Sequence, residues 1–293
     1  MAVRKFWIVN GNDDKYNLTN SELKINIVSP SGLGFQNNLS FLRVGNRDKI
    51  IAKQVAMPQV SGNIYFYDMN ENAYEDYYNF VAFLSHKPLK LFYQPPNSTK
   101  SYYIDCEVKQ LNKTENTELH ILDCPIVLSG LSFWKDGNKH IQYFEKGSFE
   151  NGKHYPLTRP YSYATFSYRN MPISNNNTMN SPFQFEINGE VVNPQLSFFQ
   201  NGERYGVIKL LGTFGKVRVN TEGSNQELYL EDLNGLPITN AISYQDFSIY
   251  DGKSQMTFFD LKAGSNKLSF SADNENEFDG ELKMTWEDEF VSV

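Results

Sequence analysis

Residues 183–211 read FQFEINGEVVNPQLSFFQNGERYGVIKLL, and this stretch decides the fold class. Asn188-Gly189 and Asn201-Gly202 each separate two short runs of β-branched and aromatic residues. Asn-Gly between two such runs is the strongest short-range signal for a two-residue hairpin turn. The stretch therefore predicts consecutive antiparallel strands at 183–187, 191–192, 195–199 and 207–211.

Similar runs recur over most of the chain, separated by turn-forming residues. They lie at 6–9, 16–19, 90–94, 102–111, 118–128, 217–220, 227–230, 255–260 and 267–271. Closely spaced short strands of this kind are typical of an all-β sandwich or jelly roll. We therefore expect a mostly β protein.

One segment has helical rather than strand periodicity. Its apolar residues recur at three- and four-residue intervals, which places them on one helical stripe: Tyr74, Tyr77, Tyr78, Val81 and Leu84. This spacing predicts a single amphipathic helix whose tyrosines pack against a sheet. Asn72 with Glu75 predicts a capping box at its start, and Pro88 marks its end.

The runs at 102–111 and 118–128 predict a hairpin whose turn is centred near Glu115. Cys106 and Cys124 would then lie opposite each other without being bonded. Two cysteines cannot supply the disulfide framework of a small secreted scaffold, and they are too few for a four-ligand zinc site. We therefore expect reduced thiols.

Net charge and the length of apolar runs each argue against one class of function. The 293 residues carry 27 Lys and Arg against 34 Asp and Glu, a net charge of −7. A net-acidic chain without a basic cluster lacks the charge that dominates nucleic-acid affinity, so we expect no specific nucleic-acid binding. No run approaches the roughly 20 apolar residues of a membrane-spanning helix, so we expect no membrane insertion.

The sequence contains none of the common motifs of phosphate binding, zinc proteases, serine hydrolases or dithiol chemistry. Its four histidines, His86, His120, His140 and His154, are scattered along the chain. We therefore expect no catalytic residue, no metal and no cofactor. An enzyme such as a cell-wall hydrolase stays a disfavoured alternative, because acids and bases distant in sequence can meet in a fold.

Aromatic residues leave a second alternative open, a carbohydrate-binding adhesion module of the β-sandwich type. Tyr155, Tyr161, Tyr163 and Tyr168 cluster in one Pro-flanked stretch, and such rings can stack on sugars. Residues 135–285 contain no tryptophan, the strongest stacking ring, which disfavours this alternative.

Several passages resemble the distal tail proteins of siphophages that infect Gram-positive bacteria. They are the Gly-Leu-Gly passage at 29–35, the strand, helix and strand order over 72–111, and the C-terminal pattern at 187–194, 212–221 and 258–268. The turn residues of these passages are Pro30, Gly32, Gly34, Gly189, Gly264 and Asn266. Gly264 permits a positive φ, and Asn266 can bond nearby backbone.

The resemblance implies two domains. An N-terminal β-sandwich ring domain with one amphipathic helix would span 1–135 and be completed by the terminal strand 282–293. A galectin-like or jelly-roll β-sandwich would span 136–281. The Gly-rich change in composition between residues 130 and 165 independently favours a boundary there.

The resemblance also implies a structural role in the virion, without catalysis. Six copies would form a homo-oligomeric ring at the tail tip, joining the tail tube protein to the tail-tip hub and, in some members, carrying a receptor-binding protein. Assembly would take place in the bacterial host cytoplasm, and a tail-like bacteriocin would look the same at this level. An aperiodic segment is predicted to be an exposed partner-contact loop: Asn175, Asn176, Asn177, Thr178, Met179 and Asn180.

Overall fold

The computed structural model describes residues 4–20, 25–67, 69, 72–144, 171–177, 179–222, 226–238, 247–250, 258–274 and 278–293. These residues form mostly β-strands, with one helix among them, and the predicted mostly β class is confirmed. The chain divides into two compact units, Met1–Gly137 with Glu289–Val293, and Asn138–Asp288. We call them unit 1 and unit 2.

Unit 1 contains one helix and a series of antiparallel strands. They are β1 Lys5–Val9, β2 Lys15–Asn17, β3 Thr19–Asn20, β4 Ile25–Ser31, β5 Asn37–Val44, β6 Arg47–Val55, β7 Gln59–Tyr67, α1 Ala73–Ser85, β8 Leu89–Gln94, β9 Tyr102–Leu111, β10 Thr114–Asn116, β11 Ile121–Gly130 and the start of β12 Trp134–Phe144. Pairing follows the order β2-β1-β8-β9-β11-β7-β4-β3. Alternate residues, such as Phe6 and Ile8 of β1, are buried in the core.

Helix α1 forms where the spacing predicts it and ends at Ser85, before Pro88. Asn72 occupies the N-cap position, but its side chain makes no capping hydrogen bond. Its backbone carbonyl accepts a hydrogen bond from the Asp76 N–H at 2.8 Å instead. The capping box predicted from Asn72 and Glu75 is therefore wrong.

The predicted stripe is confirmed in part, because Leu84 is buried and Tyr74 and Tyr77 are partly buried against the core. Phe80 and Leu84 are buried, whereas Tyr78 and Val81 are exposed. Phe80 packs against Phe66 of β7, with ring centroids 5.9 Å apart. The all-carbon Phe80 ring can be buried without an unsatisfied hydroxyl, so it takes the inward position and Tyr78 faces water.

Strands β9 and β11 pair as an antiparallel hairpin, but the turn lies later than predicted. Strand β10 continues the pairing along β11, so the chain reverses at 117–120 rather than near Glu115. Cys106 lies opposite Gly130, and Cys124 pairs across to β7 instead. The predicted opposition of the two cysteines is therefore wrong, and both are free, buried thiols.

Unit 2 contains two antiparallel sheets around one core. Its further strands are β13 Met171–Asn175, β14 Phe183–Val192, β15 Gln195–Gln200, β16 Glu203–Leu210, β17 Thr213–Asn220, β18 Glu227–Glu231, β19 Phe247–Tyr250, β20 Gly264–Ser271 and β21 Glu281–Phe290. The sheet orders are β18-β17-β14-β21 and β13-β20-β15-β16-β19. Phe183 and Phe198 join the two inner faces, with ring centroids 5.1 Å apart. Of the predicted strand 255–260, residues 255–257 lie outside the described residues and 258–260 are not in a strand.

The two Asn-Gly pairs have different structures. Asn201-Gly202 forms the β15–β16 hairpin turn, with φ values of +53° and +83°. Asn188-Gly189 lies inside β14, which continues through it with a bulge, so the turn predicted there is wrong. A Cβ on Gly189 would lie 2.9 Å from the Cα of Gly280. Strand β17 pairs with β14 both before and after this dipeptide, so β14 runs on past it.

The terminal strand β21 pairs with β14 in unit 2, although the resemblance implied that residues 282–293 complete the first domain. The last five residues belong to unit 1. There the Phe290 ring packs edge-on against Tyr102, with centroids 5.5 Å apart. The Val293 N–H also donates a hydrogen bond to the Leu33 carbonyl at 3.1 Å.

Candidate assembly surface

The β5–β6 hairpin is exposed along nearly its whole length. The two strands pair with each other and form a two-stranded sheet of their own. Gly45 starts the connecting turn with a φ of +62°, which glycine adopts without strain. The nine residues of β6 give the hairpin a length of about 30 Å. We call residues 35–57 the arm.

Large apolar side chains cover the arm. Each of the following is between 41 and 62 % exposed: Phe35, Leu39, Phe41, Leu42, Val44, Ile50, Ile51 and Met57. Contiguous exposed apolar surface marks interaction sites in proteins that are otherwise well packed. An isolated two-stranded hairpin is also only marginally stable in water. Burial of the arm against another molecule would therefore be favourable.

The pairing register gives the arm two different faces. One face, which we call the Leu42 face, carries the cross-strand pairs Leu42 with Lys49 and Val44 with Arg47. The opposite face carries the pairs Phe41 with Ile50 and Arg43 with Asp48. The Leu42 face therefore combines apolar side chains with two cations, whereas the acid of the arm lies on the opposite face beside a cation.

The arm is basic although the chain is acidic. Residues 35–57 contain four Lys and Arg and one Asp, so their net charge is 4 − 1 = +3. Since the chain has a net charge of −7, the remaining residues sum to −7 − 3 = −10. Charge of opposite sign steers two surfaces together, so the arm is complementary to an acidic surface.

The Pro30 motif forms the root of the arm. Pro30 lies in β4, and Gly32 has a φ of +88°. A Cβ on Gly32 would lie 1.9 Å from the carbonyl oxygen of Gln59, the first residue of β7. A Cβ on Gly34 would meet nothing within 4 Å. Gly32 thus allows the chain entering the arm to pass close to the chain leaving it.

Gly264 and Asn266 form an internal turn of unit 2. Gly264 has a φ of +95°, and Asn266 is fully buried. The Asn266 Nδ2 donates to the carbonyls of Lys262 and Gly264 at 2.7 and 2.9 Å, and its Oδ1 accepts from the Tyr205 hydroxyl at 3.0 Å. Burial raises the pKa of Tyr205. These contacts fix the start of β20, so the two motif residues stabilise a turn inside unit 2.

The segment predicted as an exposed loop over residues 175–180 is only partly exposed. Asn175 ends β13 and is fully buried, so the prediction is wrong for this residue. Its Nδ2 lies 3.2 Å from the Met179 carbonyl and 3.1 Å from the Leu261 carbonyl, which satisfy the amide inside the unit. Asn176 and Asn180 are exposed, Asn177 and Met179 are half-buried, and Thr178 lies outside the described residues.

The remaining candidate residues are the histidines and the tyrosine cluster, and the structure describes only some of them. Within the described residues, no three metal-ligating side chains come together, and no helix is long and apolar enough to cross a membrane. His140 stacks on Trp286, and its Nε2 lies 2.9 Å from the Asp288 Oδ1. His154 and the tyrosine cluster over 155–168 lie outside the described residues.

The arm was not predicted from the sequence, although a signal for it was present. Gly45-Asn46 separates the runs at 37–44 and 47–55, and Gly-Asn between two strand-like runs favours a hairpin turn. Apolar residues lie on both faces of these runs, so no single buried face sets their period. The exposure of the arm is therefore visible only in the structure.

This chain is similar to one protein family in sequence and to several solved structures in fold. Residues 5–131 match the family model described as distal tail protein, N-terminal domain. A similar solved structure is the SPP1 Dit (gp 19.1) protein, described as a paradigm of the hub adsorption apparatus in phages that infect Gram-positive bacteria. Its TM-score is 0.60 at 9 % sequence identity, and the match covers 97 % of this chain and 99 % of that chain. A chain of the phage P2 baseplate in its activated conformation with Sr has a TM-score of 0.54 at 16 % identity, covering 99 % and 100 %. A search of curated protein sequences finds no match.

Proposed function

We propose that this chain is a structural component of a phage tail tip whose copies assemble into a closed ring, because residues 5–131 match the family model of the distal tail protein N-terminal domain. The fold supports this role along the whole chain, since the similar solved structures span nearly the full length of both partners. One of them is a hub protein and the other a baseplate chain.

The observation that carries the proposal is the arm. It presents eight large apolar side chains to solvent, each about half exposed, and burying the exposed part of each would contribute about 1 to 2 kcal/mol. A contact between the arm of one copy and a different surface of the next is heterologous. Heterologous contacts close into a ring when the rotation between neighbours allows it.

In this role, six copies form the ring, and the ring joins the tail tube protein to the tail-tip hub. Unit 1 forms the ring, and unit 2, a galectin-like sandwich, is available to hold a receptor-binding protein. The exposed Asn176 and Asn180 of the 175–180 segment are candidates for such a contact. The chain acts in the virion by rigid assembly and performs no catalysis.

The proposal is tested by the mass of the purified chain in solution. Light scattering across a concentration series, with negative-stain imaging, should detect a discrete closed ring. A variant with Phe41→Asp and Leu42→Asp places one charge on each face of the arm and should shift the mass toward the monomer. Leu119→Asp is the matched control, because Leu119 is 66 % exposed in unit 1 but lies outside the arm.

If the ring still forms with both arm substitutions, the arm does not form the contact between copies. A wild-type chain that stays monomeric at every concentration, alone and when mixed with its tail-tube and hub neighbours, would overturn the proposed function.

A further inference from the structure

Asn-Gly dipeptides are sites of spontaneous deamidation as well as turn signals, because glycine has no side chain to hinder its own backbone nitrogen. The chain contains five of them, which begin at Asn10, Asn151, Asn188, Asn201 and Asn234. Asn151 lies outside the described residues. The other four share the same dipeptide but differ in their surroundings, so the structure distinguishes which of them is open to the reaction.

The reaction requires two free groups on neighbouring residues. A base from solvent takes the proton of the glycine N–H, and the backbone nitrogen attacks the Cγ of the asparagine. A C–N bond forms, the bond from Cγ to Nδ2 breaks, and Nδ2 leaves as ammonia with a proton from water. Water then adds to either carbonyl of the succinimide ring and opens it to an aspartyl or an isoaspartyl residue. A hydrogen bond already made by either group must break before the attack.

Two of the four dipeptides have both groups bonded. The Gly11 N–H donates to a backbone carbonyl at 2.9 Å, and the Gly235 N–H donates to the Asp232 carbonyl at 3.1 Å. Asn10 is buried, and its Oδ1 accepts from two backbone N–H groups, each at 3.0 Å. The Asn234 Nδ2 lies 3.5 Å from the Asp232 Oδ2. We therefore expect the fold to protect both dipeptides.

Strand pairing protects the third dipeptide. Asn188 pairs with Lys216 of β17 and with Glu281 of β21. A Cβ on Gly189 would lie 2.9 Å from the Cα of Gly280, so the chain is closely packed there. Closure of the succinimide ring requires the backbone to rotate beside the asparagine. At this position the rotation would break strand pairing in the middle of a sheet.

Asn201-Gly202 has none of these restraints. Both residues are exposed at the tip of the β15–β16 hairpin. Among the described residues, the Asn201 side chain has no hydrogen-bond partner and the Gly202 N–H donates to no carbonyl. A Cβ on Gly202 would meet nothing within 4 Å, so the turn has room to rotate into the geometry of attack. Exposed loop tips are also the parts of a fold that open most readily.

We propose that Asn201 is a self-modification site, where the Gly202 nitrogen closes a succinimide on the Asn201 side chain and water opens it. Each conversion replaces a neutral amide by a carboxylate, which takes the net charge of the chain from −7 to −7 − 1 = −8. The isoaspartyl product also adds one carbon to the backbone of a two-residue turn. The change accumulates with time, because the ammonia is lost to solvent. This inference is independent of the proposed ring.

Peptide mapping by mass spectrometry tests the site within one chain. The folded protein is incubated at mildly alkaline pH and digested at intervals, and the deamidated fraction is measured for each dipeptide. We expect conversion at Asn201 to be at least about tenfold faster than at Asn10, Asn188 or Asn234, which react only after local opening of the fold. In urea-unfolded protein the four rates should become similar, because the dipeptide is the same.

Two matched variants assign the modified residue. Asn201→Gln keeps a side-chain amide but would have to close a larger ring, so deamidation of this peptide should be lost. Asn234→Gln is the control and should leave conversion at Asn201 unchanged. Circular dichroism checks that both variants keep the β fold. Conversion at Asn201 that is no faster than at the other three dipeptides of the folded protein, or that persists in Asn201→Gln, would overturn the proposal.

Discussion

Gly32 and Gly34 lie two positions apart in one motif, but the structure constrains only one of them. Gly32 has a φ of +88°, and a Cβ there would lie 1.9 Å from the Gln59 carbonyl oxygen, whereas a Cβ on Gly34 would meet nothing within 4 Å. We expect Gly32→Ala to lower the free energy of unfolding by about 2 kcal/mol or more. Gly34→Ala should change it by less than about 0.5 kcal/mol. Urea unfolding of the two variants measures the difference, and equal losses would contradict it.

The Cys106 thiol links stability to alkaline pH. Burial raises its pKa from 9.0 to about 12 in the folded protein. Between these values the unfolded chain has released the proton and the folded chain has kept it. The stabilisation is therefore complete below pH 9 and is lost as the pH rises toward 12, by up to about 1.4 kcal/mol per pH unit. Cys106→Ala should make the decline of unfolding free energy with pH shallower by this amount.

The informative quantity is the slope, because Cys106→Ala also removes a buried sulfur and lowers stability at every pH. Urea unfolding at a series of pH values from 8 to 11 gives the slope for each protein. If the unfolding free energy falls with pH at the same slope in wild type and variant, the pKa of Cys106 is not raised in the folded protein. Tyr16 and Tyr205, whose pKa values are also raised by burial, contribute equally to both proteins.

Single residues show where sequence reasoning was sufficient. Asn201-Gly202 turns as its dipeptide predicts, and the two strands that it joins pair directly with each other. Asn188-Gly189 does not turn, because β17 pairs with β14 on both sides of the dipeptide, up to Asn188 and again from Val191. The local signal was identical in both places. Partners that are distant in sequence decided between the two outcomes.

Helix α1 gives a test at the scale of one element. Phe80 is fully buried, whereas Tyr78 is mostly exposed. We expect Phe80→Ala to lower the free energy of unfolding by about 3 to 5 kcal/mol, through lost burial and the cavity left behind. Tyr78→Ala should cost less than about 1 kcal/mol, since its surface stays in water. Equal losses in denaturant unfolding would show that Tyr78 is buried like Phe80.

The elements also show what periodicity can and cannot predict. Three- and four-residue spacing was enough to locate α1, because burial on one side of a helix sets that period. The spacing could not decide which of Tyr78 and Phe80 faces inward, since both are large and aromatic. The β5–β6 arm was missed because its apolar residues lie on both faces, so no alternation marks an inner one. Its exposure makes physical sense if another copy covers it.

At the scale of the whole molecule, the chain returns to its first unit at its very end. Strand β21 runs along β14 in unit 2, and residues Glu289–Val293 belong to unit 1. The sequence shows an alternating terminal run with Met284 and Trp286, which predicts a strand. It does not show where the run changes unit, because alternation is the same whichever core receives the side chains. The pairing partner alone distinguishes the two.

Phe290 tests this return. Its ring packs against Tyr102 in unit 1, and such a pair contributes about 1 kcal/mol beyond the burial of its surface. In a Trp286→Phe background, Trp7 and Trp134 remain as fluorescence reporters within unit 1. Phe290→Ala in that background should lower the midpoint of the fluorescence transition in urea. Tyr143→Ala is the control, because Tyr143 is 54 % exposed in unit 2 and its loss should leave the midpoint unchanged. A Trp7→Phe, Trp134→Phe background leaves Trp286 as the reporter of unit 2. If Phe290→Ala shifts the transition of Trp286 and leaves that of Trp7 and Trp134 unchanged, the last residues stabilise unit 2. The division of the chain at its end would then be wrong.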